Sequence, residues 1–129
     1  MSETTPTGAQ HPRFLTDADF NLHIVTGLRR RQPGIDLLTA HQLNLRTLPD
    51  PRLLETTRGL DRILLTHDRK TMPRHFRDFL AGLGEGEHSP GVMWIHQSLP
   101  IGTAIDAILL VWACSVHEEW RNQFVYLPL

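Results

Sequence analysis

The chain has 129 residues, of which 40% are apolar and 21% are charged, and its formal net charge is −1. This length suits one domain whose core needs no disulfide or structural metal. The single cysteine, Cys114, excludes an internal disulfide and a cysteine-rich zinc site. No apolar run is long enough to cross a membrane, and the first residues lack the pattern of a signal peptide, so we expect a cytoplasmic protein with no membrane partner.

The charges are distributed unevenly along the chain. Residues 29–77 hold eleven of the 13 basic side chains but five of the 14 acidic ones, whereas residues 78–129 are acidic. Such a basic middle segment either forms a local electropositive patch or consists of solvated helix faces. Residues 1–11, rich in Thr, Pro and Gly, are expected to be a disordered leader, and residues 12–129 a single domain.

Apolar runs alternate with segments of helical periodicity. The predicted strands are residues 13–17, 35–39, 62–68, 91–96 and 124–127. The predicted helices are residues 18–31, 50–59, 72–83 and 98–114, and residues 117–120 are predicted to form a short acidic turn. Pro51 is placed to open the second helix and Gly59 to end it. This alternation predicts an α/β fold, a three-layer α/β/α domain with a mostly parallel central sheet.

Two aspartates follow predicted buried strands. Asp17 ends the first strand, and Asp68 ends the strand over residues 62–68. Functional groups in parallel sheets gather beyond the carboxyl ends of the strands, so we expect both carboxylates at that edge. Asp36 lies near the start of its strand and is expected at the opposite edge.

Clustered carboxylates are costly unless a cation neutralises them. Mg²⁺ or Mn²⁺ prefers oxygen ligands and can activate water for hydrolysis of a phosphodiester. Asp17 and Asp68 are the core metal candidates, and Asp19 and Asp50, each at the predicted start of a helix, are further ones. All four could instead cap helices. The repeated pattern of Thr16-Asp17 and Thr66-His67-Asp68 favours a shared site.

Several segments together resemble a known family. They are FLTDADF, PDPRLL, RILLTHDRKTM, GVMWIHQSLPIGTAIDAILL and YLPL, spread over residues 13–129. They are similar to a PIN-like family of small bacterial proteins, related to the ribonuclease toxins of toxin–antitoxin pairs. The resemblance implies a PIN-like domain, a Mg- or Mn-dependent ribonuclease activity, RNA as substrate and a small antitoxin protein as a possible partner.

The family motifs match this chain at some acidic positions and depart from it at others. Asp17 matches the first acid, Asp50 the acid before the middle helix, and Asp68 the acid of a Thr-x-Asp element; the resemblance makes these three the candidate catalytic residues. Lys70 and Gln42 stand where many relatives have further acids. The resemblance therefore implies the fold more firmly than the nuclease activity.

The basic segment fits an RNA substrate. The candidate substrate-binding residues are Thr66, two residues before Asp68, and Arg69, Lys70 and Arg74 after it. Arg29, Arg30 and Arg31 end the first helix, where they are expected at the far edge and complement the helix C-terminus.

The helix over residues 101–114 is apolar nearly all round, so we expect it to be buried on more than one side. It either packs in the core or forms a homodimer or partner interface. Its one charge, Asp106, lies on a solvated face or lines the cleft. His67 and His96 adjoin strand ends, where surface polar roles are favoured over substrate contact, and Cys114 is expected to be a small buried residue.

Three functions are compatible with these patterns. The first is a metal-dependent ribonuclease, including one that acts as the toxin of a toxin–antitoxin pair. The second is a non-catalytic PIN-like module that binds RNA or a protein, which Lys70 and Gln42 favour. The third is a phosphoacceptor signalling domain, which requires a lysine after a later strand. The one lysine is Lys70, directly after the Asp68-Arg69 pair, which disfavours the third reading.

Overall fold

A computed structural model of the protein describes residues 10–129, in which five strands alternate with four helices. The strands are β1 (Phe14–Thr16), β2 (Leu37–Thr39), β3 (Ile63–Thr66), β4 (Val92–Ile95) and β5 (Phe124–Leu127). The helices are α1 (Leu22–Arg31), α2 (Asp50–Leu60), α3 (Met72–Ala81) and α4 (Ile101–Cys114), and His117–Trp120 form a 3₁₀ turn. The element order and the short acidic turn agree with the predictions.

The five strands form one sheet in the order β2-β1-β3-β4-β5, and every neighbouring pair is parallel. From β1 the chain first moves to one side, to β2, and then returns to the other side of β1, where β3 lies. The direction of winding therefore reverses between β1 and β3, and such a switch point opens a crevice at the carboxyl ends of the two strands. The predicted α/β/α domain with a parallel sheet is confirmed.

The core has one apolar layer on each face of the sheet. Helices α1 and α4 pack together over one face, and α2 and α3 pack together over the other. Alternate residues of each strand serve the two layers, so that in β1 Phe14 faces α1 and α4 whereas Leu15 faces α2 and α3. Strand residues buried on both faces explain the continuous apolar runs in the sequence.

Helix α1 begins later than its periodicity predicted. Residues 18–20 form a turn, and the helix starts at Leu22. The side chain of Asn21 caps it by accepting a hydrogen bond from the His23 N–H at 2.9 Å. Phe20 is 3% exposed and stacks on the His67 ring, so burial of this phenylalanine fixes the turn before the helix. Asp19 is therefore not at the helix start, and its predicted capping role is wrong.

Helix α2 passes through Gly59, which was predicted to end it. The residue that ends it is Asp61, which has a left-handed backbone conformation with φ of 53°. Its carboxylate pairs with Arg13 and with the buried His117 ring, and these tertiary contacts hold the unusual conformation. A glycine was not required because an aspartate tolerates this region of backbone space better than most residues.

Helix α4 is buried along one side within this chain, not on several sides as predicted. Ala104, Ile105 and Ile108 lie in the core, whereas Leu110 is 59% exposed. Cys114 is also exposed, which contradicts the prediction of a buried cysteine. Asp106 pairs at 2.5 Å with the exposed Arg31, so it lies on the solvated face and not in the cleft.

Part of the predicted leader contacts the domain. The His11 ring stacks on Trp112 with 3.8 Å between ring centroids, and the Gln10 carbonyl accepts a hydrogen bond from the His117 N–H. The rest of the predicted leader, residues 1–9, lies outside the described residues. Within residues 10–129, no helix combines the length and apolarity needed to cross a membrane.

Candidate functional site

The candidate site lies at the switch point between β1 and β3. Asp17 follows the last residue of β1, and Asp68 comes two residues after the end of β3. The Asp17 N–H donates to the Leu65 carbonyl at 3.2 Å, so Asp17 extends the pairing of these strands by one residue. Both predicted strand-end acids therefore lie at the carboxyl edge, on the two sides of the crevice.

The Thr66 hydroxyl connects the two acidic segments. Its Oγ1 donates to Asp17 Oδ2 at 2.5 Å and accepts from the Asp68 N–H at 3.0 Å. Thr66 is fully buried, and both hydrogen bonds are internal. The substrate contact at Thr66 stays a prediction; in the structure its hydroxyl positions the two acidic segments.

The carboxylate of Asp17 is held in an unfavourable environment for a negative charge. Its pKa is raised from 3.8 to about 6, mainly by burial; the hydrogen bond from Thr66 opposes this rise, and the nearby charges of Asp19 and Asp50 contribute to it. Its Oδ1 atom is buried with no well-formed hydrogen bond among residues 10–129, although the Asp19 N–H lies close enough to the carboxylate to lower its pKa. A buried carboxylate oxygen without a well-formed hydrogen bond is the kind of group that a cation or a proton satisfies.

Asp68 does not cap α3, its alternative role, because the N-cap is Thr71 and no side-chain cap hydrogen bond is present there. The Asp68 carboxylate binds the loop before the helix instead. Its Oδ1 accepts from the N–H groups of Lys70 and Thr71 at 2.9 and 3.1 Å, and its Oδ2 accepts from the Thr71 hydroxyl at 2.5 Å. Burial acts to raise the pKa of Asp68, but the hydrogen bonds from Thr71 and Lys70 outweigh it and lower the pKa. The loop before α3 thus fixes an ionised carboxylate beside the crevice.

Asp50 joins the same cluster from the start of α2. Burial raises its pKa, the charges of Asp68 and Asp19 add to this, and His75 opposes them. The structure shows no side-chain cap hydrogen bond at the N-terminus of α2, so the capping alternative for Asp50 is not observed. The four predicted acids influence one another electrostatically and form one cluster, which we call the acidic cluster (Asp17, Asp19, Asp50 and Asp68).

The acidic cluster has the donor chemistry of a hard-cation site but not a closed ligand set. Carboxylate oxygens are the ligands that Mg²⁺ and Mn²⁺ prefer, and the buried Asp17 Oδ1 has no well-formed hydrogen bond among residues 10–129 that would compete with a cation. No group of three or more His, Cys, Asp or Glu side chains within residues 10–129 is arranged to hold one ion. The metal site therefore stays a prediction.

Gln42 and Lys70, which stand where the family pattern has acids, have different surroundings in the structure. Gln42 Oε1 accepts from the Arg29 guanidinium at 2.7 Å and from the Thr39 N–H at 2.9 Å. Arg29 also donates to the carbonyl of Leu37, the first residue of β2, at 2.8 Å, so it does not serve only its own helix terminus, as was predicted. Lys70 is exposed beside Asp68.

The predicted substrate-binding cations border the acidic cluster. Arg69, Lys70 and Arg74 are exposed in the loop after β3 and the first turn of α3. The Arg69 guanidinium lies 5.7 Å from the centroid of the Trp94 ring, within the range of a cation–π contact. Their roles in binding stay predictions, but their position beside an anionic cleft is suited to holding phosphates around it.

His67 has a structural role, whereas the sequence left it between surface and substrate contact. Its Nε2 accepts from the Asn21 N–H at 3.2 Å, and its Nδ1 donates to the Ile95 carbonyl at 2.8 Å. The tautomer follows from the partners, since a backbone N–H can only donate and a carbonyl can only accept. The ring thus ties the end of β3 to the start of α1 and to β4.

Sequence reasoning missed three residues near this edge. His75 lies close enough to Asp50 and Asp68 to affect both their pKa values. Trp94 and Tyr126 form an aromatic surface beside Arg69, with 5.1 Å between their ring centroids. The only signal for these aromatics was their position near the carboxyl ends of two strands, and the pairing of those strands was needed to bring them together.

Comparison of the chain with protein-family models, curated proteins and solved structures finds no significant match.

Proposed function

We propose that the protein is a divalent-metal-dependent ribonuclease of the PIN-like type. The observation that carries the proposal is the buried Oδ1 of Asp17 at the switch point of the sheet, which has no well-formed hydrogen bond among residues 10–129 and has Asp19 and Asp50 close enough to raise the pKa of Asp17. A cluster of this kind is unfavourable by itself and becomes favourable when a cation binds. The sequence resemblance to PIN-like proteins supplies the reaction type, and the bordering cations fit a polyanionic substrate.

Asp17, Asp50 and Asp68, with Asp19 at the margin, are the residues that would hold Mg²⁺ or Mn²⁺. When bound, such an ion supplies a water molecule of lowered pKa and neutralises charge that develops on the phosphodiester. The chain positions Asp17 through the Thr66 hydroxyl and Asp68 through the N–H groups of the following loop. Arg69, Lys70 and Arg74 hold the RNA backbone beside these acids.

The partners follow from the same proposal. RNA is the substrate, a small antitoxin protein is the partner of a toxin, and the cytoplasm is the compartment in which both meet the protein. A homodimer through the 101–114 helix would cover the exposed Leu110 on the outer face of α4.

The second candidate function is a non-catalytic PIN-like module that binds RNA or a protein partner. Gln42 and Lys70 favour it, since both stand where the family pattern has acids and Gln42 is fully engaged by Arg29 and Thr39. A phosphoacceptor role has less support, because β4 and β5 end in Ile95-His96 and Leu127-Pro128 with no lysine.

An RNA cleavage assay with Mn²⁺ tests the proposal. We expect the wild-type protein to cut RNA, EDTA to stop it, and Asp17→Asn and Asp50→Asn to slow it by about 100-fold or more, because even residues that only support metal ligands contribute 10- to 100-fold. Asp106→Asn is the matched control, since Asp106 is an exposed aspartate outside the cluster, and it should cut as the wild type does.

Absence of cleavage by the wild-type protein, or cleavage that Asp17→Asn leaves intact, would refute the nuclease proposal. RNA binding without cleavage would favour the non-catalytic module instead.

A further inference from the structure

One row of side chains crosses four strands at the carboxyl edge of the sheet. Thr66 of β3 is in register with Trp94 of β4, and Trp94 with Tyr126 of β5. On the other side Thr16 pairs with Leu65, so the next pair along is Asp17 with Thr66, which their side-chain hydrogen bond also joins. Residues in register point to the same face of a parallel sheet, so the row from Asp17 to Tyr126 is continuous on the face covered by α2 and α3.

The outer end of the row is aromatic and open. Tyr126 is 51% exposed, which is unusual for a residue in a strand, whereas its neighbour Trp94 on β4 is 9% exposed. Trp94 and Phe124 contact the Tyr126 ring in edge-on geometry at 5.1 and 5.7 Å, and the Trp94 Nε1–H donates to the His67 carbonyl at 2.9 Å. The tyrosine ring is thus held in place by neighbours while half of its surface stays available.

The row runs from the acidic cluster to this ring within the reach of a nucleotide chain. Neighbouring strands are about 4.8 Å apart, so Tyr126 lies about 10 Å from Thr66 and about 14 Å from Asp17. Arg69 lies over Trp94 between the two ends, and among residues 10–129 it has no carboxylate partner. A cation between an exposed aromatic ring and an acidic site complements the phosphates of a nucleic acid.

We propose that Tyr126, supported by Trp94 and Arg69, is a stacking subsite for an unpaired base of single-stranded RNA. Every base has a π-face that can stack on an aromatic ring, and the adjacent cation binds the phosphate that joins this base to the next. A base in a duplex is already stacked on its neighbours, so the subsite selects single strands. The choice of RNA as the ligand rests on the proposed function.

Binding to a fluorescein-labelled ten-nucleotide oligoadenylate, measured by fluorescence anisotropy in EDTA, tests the subsite without any cleavage. The wild-type protein should bind the single strand more tightly than a duplex of the same length. Tyr126→Ala should weaken single-strand binding by roughly fivefold or more. Tyr126→Phe, which keeps the ring, should bind as the wild type does.

The matched control is Leu60→Ala, which removes another exposed apolar side chain at the far end of α2, near the amino edge of the sheet, and should not change binding. An oligonucleotide with abasic positions should bind Tyr126→Ala and the wild-type protein equally. The proposal is overturned if Tyr126→Ala binds oligoadenylate as the wild type does. It is also overturned if Tyr126→Ala weakens duplex and single-strand binding alike, or alters only self-association in sedimentation, which would assign the ring to a protein contact.

These results separate the two proposals. Tyr126-dependent binding by a protein that cuts no RNA would support the subsite and refute the nuclease. If the protein cuts RNA and Tyr126→Ala leaves RNA binding unchanged, the nuclease would be supported and the subsite refuted.

Discussion

The aspartates at the two edges of the sheet have opposite electrostatic surroundings. At the amino edge, Asp36 pairs with Arg62 at 2.6 Å, and Asp61 pairs with Arg13 at 2.5 Å and with His117 at 3.0 Å. Burial acts to raise the pKa of Asp61, but the hydrogen bond and charge of His117, with the charge of Arg13, outweigh it and lower the pKa. Both of these aspartates therefore have a basic partner that compensates their charge.

At the carboxyl edge the acids face one another. Asp17 and Asp50 both have raised pKa values, from burial first and then from the charges of neighbouring aspartates. No arginine or lysine within residues 10–129 forms an ion pair with either of them. Paired acids are typical of structural positions, whereas unpaired and mutually repelling acids are typical of functional ones. The comparison thus distinguishes two uses of the same residue type in one small domain.

The largest effect should come from Asp17. Its pKa is raised from 3.8 to about 6 in the folded protein, so the folded state binds this proton more tightly than the unfolded state does. The resulting destabilisation is absent below about pH 3.8, grows as the pH rises, and is complete above about pH 6. Relative to Asp17→Asn, the wild-type protein should therefore lose roughly 2 to 3 kcal/mol of unfolding free energy between pH 4 and pH 7.

Urea unfolding of both proteins across this pH range, without divalent metal, measures the difference. Asp106→Asn, which removes an exposed aspartate and keeps Asp17, is the control. If the difference in unfolding free energy between wild type and Asp17→Asn stays constant from pH 4 to pH 7, ionisation of Asp17 does not destabilise the fold. The proposed contrast between the aspartates of the two edges would then be wrong.

A smaller loss is expected at the amino edge from Asp61→Ala. The substitution leaves the buried His117 Nε2–H and the Arg13 guanidinium without their acceptor, which should cost about 2 kcal/mol of unfolding free energy at neutral pH. Asp61→Asn keeps an acceptor oxygen and tolerates the left-handed backbone, so it should cost less. Thermal and urea unfolding of the two variants check the order; equal stability of Asp61→Ala and wild type would contradict it.

The smallest effect is expected from Gln42→Glu, which adds an acid at the carboxyl edge but beside a cation. The new carboxylate would accept from Arg29 and from the Thr39 N–H as the amide does now. Gln42 and Arg29 are exposed, so the change in unfolding free energy should stay below about 1 kcal/mol. If Gln42→Glu loses as much unfolding free energy as Asp61→Ala, a basic partner is not what makes an acid at this edge tolerable.

Much of the architecture could be predicted because it depends on local pattern. The apolar run Ile63-Leu64-Leu65, followed by polar residues, predicted a strand buried on both faces, and the periodicity of residues 72–83 places α3 to within two residues. The errors fell where a distant contact decided the outcome. Residues 18–20 follow a helical pattern, but burial of Phe20 against His67 keeps them in a turn.

The sequence by itself determined that Asp17 and Asp68 end buried parallel strands, because a continuous apolar run followed by an acid has few other arrangements in an α/β domain. Only the tertiary structure decided what surrounds each of them. Strand order placed both acids at one switch point, brought Asp50 to them, and aligned Thr66, Trp94 and Tyr126 from distant parts of the chain. The physical reason is that desolvation and charge repulsion act between side chains that are close in space, and closeness in space is set by strand pairing and not by position along the chain.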